Sequence, residues 1–475
     1  MGPPELGAHV AARHYGRDGR RLVVLHDTRS EGIVELDARG WALVAAADGT
    51  RDVAGLVRAA EHAGHRVPAA EAARFVAALT GAGLLVASSE PARAPAVAPA
   101  ASGAAAERPV EALPDFRLVC DGQGSCCRSY PTTLFSPVEA ARARALAPAV
   151  LDGGCDAAAV FTPERGARVL PGHGYAVAMV DGVCAYLAPD RRCRLEIAGG
   201  PAGKPLGCRL FPASFVDDGV RVRVSVAPEC ACVLASARRG PAADGMGLVP
   251  GAARLRRDLE AAVAIAELPA TVHLGAGTHA ARDDFRAWCD ALPWTGPGWR
   301  EVDVDVPAAL WVLARQVETH GLGPAGALPG DGASLPDDAS FAELRAALAD
   351  VVERRLARDA RTRAERDLVR LGLGWLQRAL GRLGRALAPA PRDAVGEAFY
   401  VRALGFGLAL ADEDVPLALA LRDRALRLWL ARALAAELAG AGAPLPDPAF
   451  AEPIALVEAL LRGHGLDAYR AAARS

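Results

Sequence analysis

The distribution of cysteine constrains this chain more than any other feature of its sequence. Nine of the ten cysteines fall between Cys120 and Cys232, in a chain of 475 residues. Thiolate is the softest ligand that a protein offers, and it binds zinc and iron–sulfur clusters far better than oxygen donors do. We therefore predict a metal site in this stretch. Its predicted ligands are the eight cysteines in motif-like settings: Cys120, Cys126, Cys127, Cys184, Cys193, Cys208, Cys230 and Cys232.

Two cysteines lie outside these settings. Cys155 stands alone inside the stretch, and Cys289 lies beyond it. We expect both to be buried as small hydrophobic residues, because a cysteine without a ligand or redox partner commonly packs in a core.

Disulfide bonds and redox-active thiols are the alternatives to metal ligation. A disulfide framework is typical of a short secreted domain, whereas this chain is long and its first residues show no apolar segment of a secretory signal. No window of about 20 residues is free of charge, so no membrane span is predicted. We expect a cytoplasmic protein, and in that reducing compartment clustered cysteines are more often ligands.

The overall charge argues against two classes of partner. The formal net charge is −2, so no global field attracts nucleic acid or an acidic membrane surface, and we predict neither as a partner. Hydrophobic residues make up 52% of the chain, which is ample for packed cores. The length predicts about two to four domains.

Residues 1–88 predict a small winged-helix-like domain of strands and three short helices. Apolar residues alternate or cluster as in strands, and capping residues precede each apolar helical segment. The predicted elements are strands 21–25, 33–36 and 84–86, with helices that begin at Asp37, Thr50 and Pro68.

The segment VELDARGWALVAAADGTRDVAGLV, within residues 20–87, resembles the PqqD-like peptide-recognition domain. The resemblance implies that this module binds a peptide segment, or a polypeptide substrate, as an added strand at the edge of its sheet. The alternative is a winged helix used only for packing. A DNA-reading role is disfavoured because the third helix offers only Arg74 as a cation.

The rest of the chain divides into three further parts. Residues 89–112 are rich in alanine and proline and predict a linker. Residues 113–245 predict a cysteine-rich α+β metal-binding domain, in which Ser136 and Glu139 form a capping box at the start of a helix. Residues 250–475 predict an all-helical domain, so the fold class is multidomain α+β, mostly α. The predicted helices are 251–267, 278–291, 305–319, 338–355, 359–388, 393–411, 415–440 and 449–462.

The C-terminal part contains no catalytic motif. Its histidines are His273, His279, His320 and His464, and none has a ligand partner at metal-binding spacing in the sequence. We expect each of them to be a surface or capping residue.

Four local signatures define the cysteine region. Each contains one to three cysteines, and the eight predicted ligands all lie in these four signatures. They are Cys120-x5-Cys126-Cys127, Cys184-Ala-Tyr-Leu-x4-Arg-Cys193-Arg-Leu-Glu, Lys204-Pro-Leu-Gly-Cys208-Arg-Leu-Phe-Pro212 and Pro228-Glu-Cys230-Ala-Cys232.

Taken together, these signatures resemble the YkgJ-type cysteine-cluster family, described as a zinc- or iron-chelating domain, and the related flagellin lysine-N-methylases. The match covers residues 116–236. Two features depart from the family pattern: the gap between Cys120 and Cys126 is wide, and Cys232 is an added cysteine. The number of metal sites is therefore open, since eight thiolates make two four-cysteine sites or one site with a reactive remainder.

We favour an iron–sulfur cluster of the [4Fe–4S] type over zinc, because widely dispersed cysteines suit such clusters. Adjacent Cys126 and Cys127 point in different directions along an extended backbone, which suggests that they serve different metals. Basic residues flank two other cysteines. Such cations lower a thiolate pKa, although a solvated surface explains them equally well. They are Arg192, Arg194 and Arg209.

The sequence leaves open whether the chain is an enzyme. One hypothesis is metal-dependent modification of a polypeptide, such as lysine N-methylation, which would require S-adenosylmethionine. No GxGxxG loop between a predicted strand and a helix, and no Cys-x3-Cys-x2-Cys spacing, supports it. The alternatives are a non-catalytic metal chelator or accessory protein and a metal- or redox-sensing protein. If the chain is an enzyme, Cys230 and Cys232 are the candidates for a role beyond structure.

Overall fold

The computed structural model shows a mostly helical α+β protein, as the sequence predicts. None of the helices in the part described is long and apolar enough to cross a membrane. The structure describes residues 2–7, 9–17, 20–27, 33–87, 103–120, 122, 124–129, 133–146, 160–163, 174–180, 183–241, 245–249, 253–260, 263–275, 277–323, 328, 336, 339–359, 367–383, 392–410, 415–442, 444–445 and 447–461.

The described residues form two compact units. The N-terminal unit contains those of Met1–Pro99 and Tyr130–Arg209, and the C-terminal unit contains those of Ala100–Ser129, Leu210–Arg361 and Asp367–Ser475. The boundaries differ from the predicted domains, because the cysteine region contributes residues to both units.

The described residues of the N-terminal unit form six short α-helices and ten short strands. Its elements are β1 (Pro4–Leu6), β2 (Val10–Arg17), β3 (Arg20–Asp27), β4 (Ile33–Leu36), α1 (Ala38–Ala46), α2 (Val53–His62), α3 (Ala69–Gly81), β5 (Leu85–Ala87), β7 (Leu134–Phe135), α5 (Pro137–Leu146), β8 (Phe161–Pro163), β9 (Tyr175–Val177), β10 (Met179–Val180), β11 (Val183–Cys184), α6 (Arg194–Gly199) and α7 (Leu206–Leu210).

Local capping determines where two of these helices begin. Asp37 accepts a hydrogen bond from the Gly40 amide at 2.8 Å and begins α1, as predicted. The prediction for α2 is wrong by two residues: Asp52 caps it through the Gly55 amide at 2.8 Å. Thr50 instead bonds to Asp48, because its hydroxyl and amide both reach that carboxylate in the preceding turn.

A five-stranded sheet in the order β11-β10-β2-β3-β4 contains strands from both chain segments of the N-terminal unit. Strand β2 was not predicted, since Arg13, His14 and Gly16 interrupt its apolar residues. Its inward positions nevertheless alternate, and His14 is buried against the edge of Trp41 at 5.1 Å between ring centroids. Strand β10 pairs in parallel with β2, so among the described strands β4 is the edge on the other side.

The predicted capping box at α5 is confirmed. The Ser136 amide donates to Glu139 Oε2 at 2.9 Å, and the Glu139 amide donates to Ser136 Oγ at 3.2 Å. Glu139 Oε1 also accepts a hydrogen bond from the Leu206 amide at 2.7 Å, where α7 begins. One carboxylate therefore fixes the first turns of two helices.

The C-terminal unit packs a large helical assembly against a small sheet in the order β14-β12-β13-β6. Its elements are β6 (Val110–Ala112), α4 (Ser125–Ser129), β12 (Ala213–Asp217), β13 (Val222–Val226), α8 (Ala231–Arg239), α9 (Arg256–Glu260), β14 (Ala266–Glu267), β15 (Thr271–Gly275), β16 (Thr278–Ala281), α10 (Arg282–Asp290), α11 (Val306–His320), α12 (Ala339–Asp359), α13 (Asp367–Leu383), α14 (Ala394–Phe406), α15 (Leu417–Gly440) and α16 (Pro453–Leu461).

Two predictions about this unit are wrong. The end of the predicted linker 89–112 is strand β6, which pairs with β13 because Val110 packs against the core. The part after residue 250 is not all-helical: among the described residues of 251–267 only α9 is helical, and β15 and β16 form a β-hairpin. Gly275 and Gly277, at φ +147° and +75°, supply the backbone conformation of its turn.

A buried guanidinium ties the sheet of the C-terminal unit to its helices. Arg223 on β13 is 0% exposed and donates to Asp218 at 2.8 Å and to Asp290, at the end of α10, at 2.6 and 2.9 Å. It also reaches the Phe406 carbonyl oxygen at the end of α14. Burial lowers the pKa of Arg223, but Asp290 and Asp218 outweigh this effect and raise it.

We predict that Arg223→Met destabilises the protein by about 3–5 kcal/mol, because it leaves the Asp218 carboxylate buried without its cation. Urea unfolding followed by tryptophan fluorescence measures the loss. The matched control is Arg354→Met, which breaks an exposed ion pair with Asp350 and should cost less than about 1 kcal/mol. Equal losses in the two variants would contradict this account of Arg223.

Candidate functional site

The eight predicted ligands divide five and three between the units. The C-terminal unit contains Cys120, Cys126, Cys127, Cys230 and Cys232, and the N-terminal unit contains Cys184, Cys193 and Cys208. Within the units the thiols therefore do not form two sets of four.

In the C-terminal unit, helix α8 positions three of the five cysteines. Cys230 immediately precedes α8 and Cys232 lies in its first turn, and both are buried. Ser236, one turn beyond Cys232, accepts a hydrogen bond from the Val119 amide at 2.9 Å. Because residues four apart share a helix face, this bond brings the segment carrying Cys120 to the side of α8 that holds Cys232.

Cys126 and Cys127 lie on α4, not on the extended backbone that the sequence suggested. Neighbouring residues on a helix differ by about 100° in direction and do not point to opposite sides as in a strand. The next residue, Arg128, forms a bidentate ion pair with Asp447, with one contact at 2.9 Å. This pair fixes the cysteine helix to the start of the 3-10 turn Pro448–Ala451.

In the N-terminal unit, Cys184 and Cys193 lie at the two ends of a closed loop. The Leu187 amide donates to the Cys184 carbonyl oxygen at 2.8 Å, and Leu187 forms a bridge with Cys193. Both cysteines pack against a cluster that includes buried Tyr186. The loop therefore brings together thiols that are nine residues apart in the chain.

Cys193 does not have the lowered pKa that its neighbouring arginines suggested. Burial raises the pKa of its thiol, while the backbone N–H groups of Glu196 and Leu195 and the cation of Lys204 only partly offset this effect. The cation that acts on Cys193 is thus Lys204, which is paired with Glu196 at 2.5 Å. The flanking arginines are not among these influences.

Cys208 lies on α7, four residues beyond Lys204. Glu139 fixes the start of this helix, as described above, and Lys204 links the preceding turn to α6 at Glu196. Through these two contacts, Cys208 lies in the same part of the N-terminal unit as Cys193.

In the described part of the chain, no group of three or more histidine, cysteine, aspartate or glutamate side chains is placed to hold a metal ion. The donor chemistry nonetheless suits a soft metal, since six of the eight predicted thiols are half-buried or exposed and two are buried. Cys289 is fully buried on α10, as predicted. Cys155 lies outside the described residues.

A pocket of about 490 Å³ lies in the C-terminal unit, between α8, α14, α15 and the start of α16. Apolar side chains such as Leu438, Phe450 and Ile454 form one wall, and charged side chains form the other. Phe450 belongs to the turn that the Arg128–Asp447 pair fixes. Arg238, at the end of α8, lies on the charged wall. Both cysteine-bearing helices of this unit are therefore connected to the pocket.

Three arginines and two carboxylates line the pocket, and the arginines also pair with carboxylates that lie outside its lining. Arg238 donates to Asp393 at 3.2 Å and to Glu452 at 2.6 and 2.9 Å. A second group of the same kind surrounds Arg432. Together with the pair of Arg392 and Asp303, five carboxylates contact these three arginines. In the second group, Arg432 donates to Glu397 at 2.7 Å through two contacts and to Asp305 at 2.9 Å.

Glu397 is the most deeply buried of these carboxylates, at 1% exposure. Burial raises its pKa, Arg432 lowers it, and the nearby charges of Asp305 and Asp393 raise it again. We call this cavity the carboxylate pocket, after Asp393 and Glu397, the two carboxylates in its lining.

Sequence reasoning missed the carboxylate pocket. Its charged residues come from positions as distant as Asp305 and Glu452, and each looks like an ordinary surface residue of an arginine-rich chain. The only local signal is Asp393, which precedes α14 and caps it through the Gly396 amide at 3.0 Å.

The chain matches no protein-family model, no curated protein and no solved structure. The resemblances to the YkgJ-type and PqqD-like families thus rest on the sequence motifs alone.

Proposed function

We propose that this chain is a cytoplasmic YkgJ-type metal protein that modifies lysine side chains of a polypeptide. The observation that carries the proposal is the carboxylate pocket, to which both cysteine-bearing helices of the C-terminal unit are connected. A chelator or a sensor has no need of such a pocket, whereas an enzyme needs one for its substrate.

The pocket matches a lysine side chain in two respects. A lysine has an aliphatic stem, which suits Leu438, Phe450 and Ile454, and a cationic end, which suits the carboxylates Asp393 and Glu397. The ammonium must lose a proton before its nitrogen accepts a methyl group. Glu397, with its raised pKa, is the base that we assign to this proton.

We further propose that the predicted cysteines hold an iron–sulfur cluster, with zinc as the alternative metal. The cluster would supply electrons, whereas zinc would supply a Lewis acid or a structural crosslink. Cys193, whose thiol pKa is raised, must lose its proton on binding, so metal uptake there depends on pH. S-adenosylmethionine is the methyl donor if the modification is methylation.

The alternative is a non-catalytic metal chelator, accessory protein or metal- or redox-sensing protein. The deep burial of Cys230 and Cys232 favours a structural role for these two thiols, which is compatible with either function.

Metal content tests the ligand assignment. We expect an oxygen-free preparation to be brown, with an absorbance band near roughly 400 nm, and Cys126→Ser and Cys208→Ser each to contain less iron and sulfide. Cys289→Ser and Cys155→Ser are the controls and should retain the metal. Unchanged metal in both ligand variants would refute the assignment, and a colourless protein containing zinc would select the alternative metal.

The carboxylate pocket is tested by Asp393→Asn. Asparagine still caps α14, so the fold is kept, while one negative charge is lost. We expect lysine modification of co-expressed polypeptides, measured by mass spectrometry, to fall by roughly tenfold or more with the metal content unchanged.

The matched control for this variant is Glu318→Gln, which removes a carboxylate from an exposed pair with Arg422. It should leave the modification unchanged. If the parent chain modifies no polypeptide, the chelator or sensor alternative is correct.

We also propose that the N-terminal unit binds a peptide segment as an added strand on β4. Part of the opposite edge, at Tyr15 and Gly16, is already paired with β10. Hydrogen exchange of the full chain with candidate polypeptides should therefore show new protection at Ile33–Leu36. Protection confined to the helices α2 and α3 would exclude strand addition.

A further inference from the structure

A pair of histidines lies on the outer face of the hairpin β15–β16. Val272 and Leu274 are buried, so His273 between them projects from the opposite side of the strand. The register places His279 directly across from it. The two imidazole rings are stacked, with centroids 5.0 Å apart and planes inclined by 21°.

The surrounding structure holds this pair in place. Val272 pairs with Ala280 on the side facing the core, and the hairpin packs against α11 and α15. At the turn, Thr278 Oγ1 donates to the Gly275 carbonyl oxygen at 2.5 Å. The separation of the two histidines is therefore set by backbone pairing and does not depend on the side chains themselves.

A backbone contact also selects the protonation state of one ring. His279 Nδ1 lies 3.2 Å from the Gly277 carbonyl oxygen, which is an acceptor only, so Nδ1 carries the proton. The lone pair of the ring is then on Nε2. A histidine that donates one nitrogen to a backbone carbonyl and keeps the other for coordination is the usual arrangement of a metal ligand.

We propose that His273 and His279 form a binding site for a divalent transition-metal ion, and that this ion is zinc in the cell. Neutral imidazole suits zinc, nickel and copper. In the stacked arrangement the in-plane lone pairs of the two rings run nearly parallel, so the His273 ring must turn about its side-chain bonds before both rings direct a nitrogen at one ion. The cross-strand register keeps the two side chains close enough for this. The described residues supply no third side-chain ligand there, so water completes the coordination and the ion exchanges readily. The site is separate from the cysteines and does not rest on the proposed function.

Nickel binding by the full chain without a tag tests this site. We expect His273→Asn and His279→Asn each to weaken Ni²⁺ binding in calorimetry by roughly 10²-fold, because either change leaves a single imidazole. Both should also lower the imidazole concentration that elutes the chain from immobilised Ni²⁺. Both side chains are on the outer face, so the circular dichroism of the variants should match that of the parent.

Two control variants separate this site from others. His320→Asn removes an exposed histidine at the end of α11, and Cys126→Ser removes a thiol. Neither should change Ni²⁺ binding at the histidine pair. The proposal is overturned if the two pair variants bind Ni²⁺ like the parent, if His320→Asn weakens binding equally, or if only Cys126→Ser weakens it.

Discussion

The buried guanidinium of Arg223 is the interaction on which the rest of the C-terminal unit depends. It joins the β12–β13 turn, through Asp218, to the ends of α10 and α14. A charge with no exposure is tolerated only with full hydrogen bonding, so these elements have little freedom to shift relative to one another. Strand β13 then runs directly to Cys230, and the position of the cysteine helix α8 follows from that of Arg223.

The same unit uses polar contacts to connect thiols to a cavity. The ion pair between Arg128 and Asp447 fixes the helix of Cys126 and Cys127 to the turn at Asp447. Helix α8 contains Cys232 near its start and Arg238 near its end, where Arg238 bonds to Glu452. A closed structural metal site requires no such connections. The cavity offers the carboxylates Asp393 and Glu397 beside apolar side chains, and we favour lysine modification over chelation because a lysine side chain suits both.

Local signals in the sequence predicted local structure well. The Ser136–Glu139 capping box, the Asp37 cap and the burial of Cys289 are all confirmed, because each depends on residues close in sequence or on one apolar side chain. Predictions failed where another hydrogen-bond partner competes, whether it is close in sequence or far away. Thr50 bonds to Asp48 in place of capping α2. The end of the predicted helix 251–267 is strand β14, which pairs with β12. The end of the predicted linker, 110–112, is strand β6, which pairs with β13.

The sequence by itself determined the donor chemistry of this protein: eight thiols in an ordered series of motifs, with the caps that begin several helices. Only the tertiary structure decided how these thiols divide between two units, which cation acts on Cys193, and that His273 and His279 stand side by side. It also assembled the carboxylate pocket from Asp305, Glu397 and other residues far apart in the chain. The physical reason is that a residue's type fixes what it can bind, whereas its neighbours depend on long-range burial and strand register.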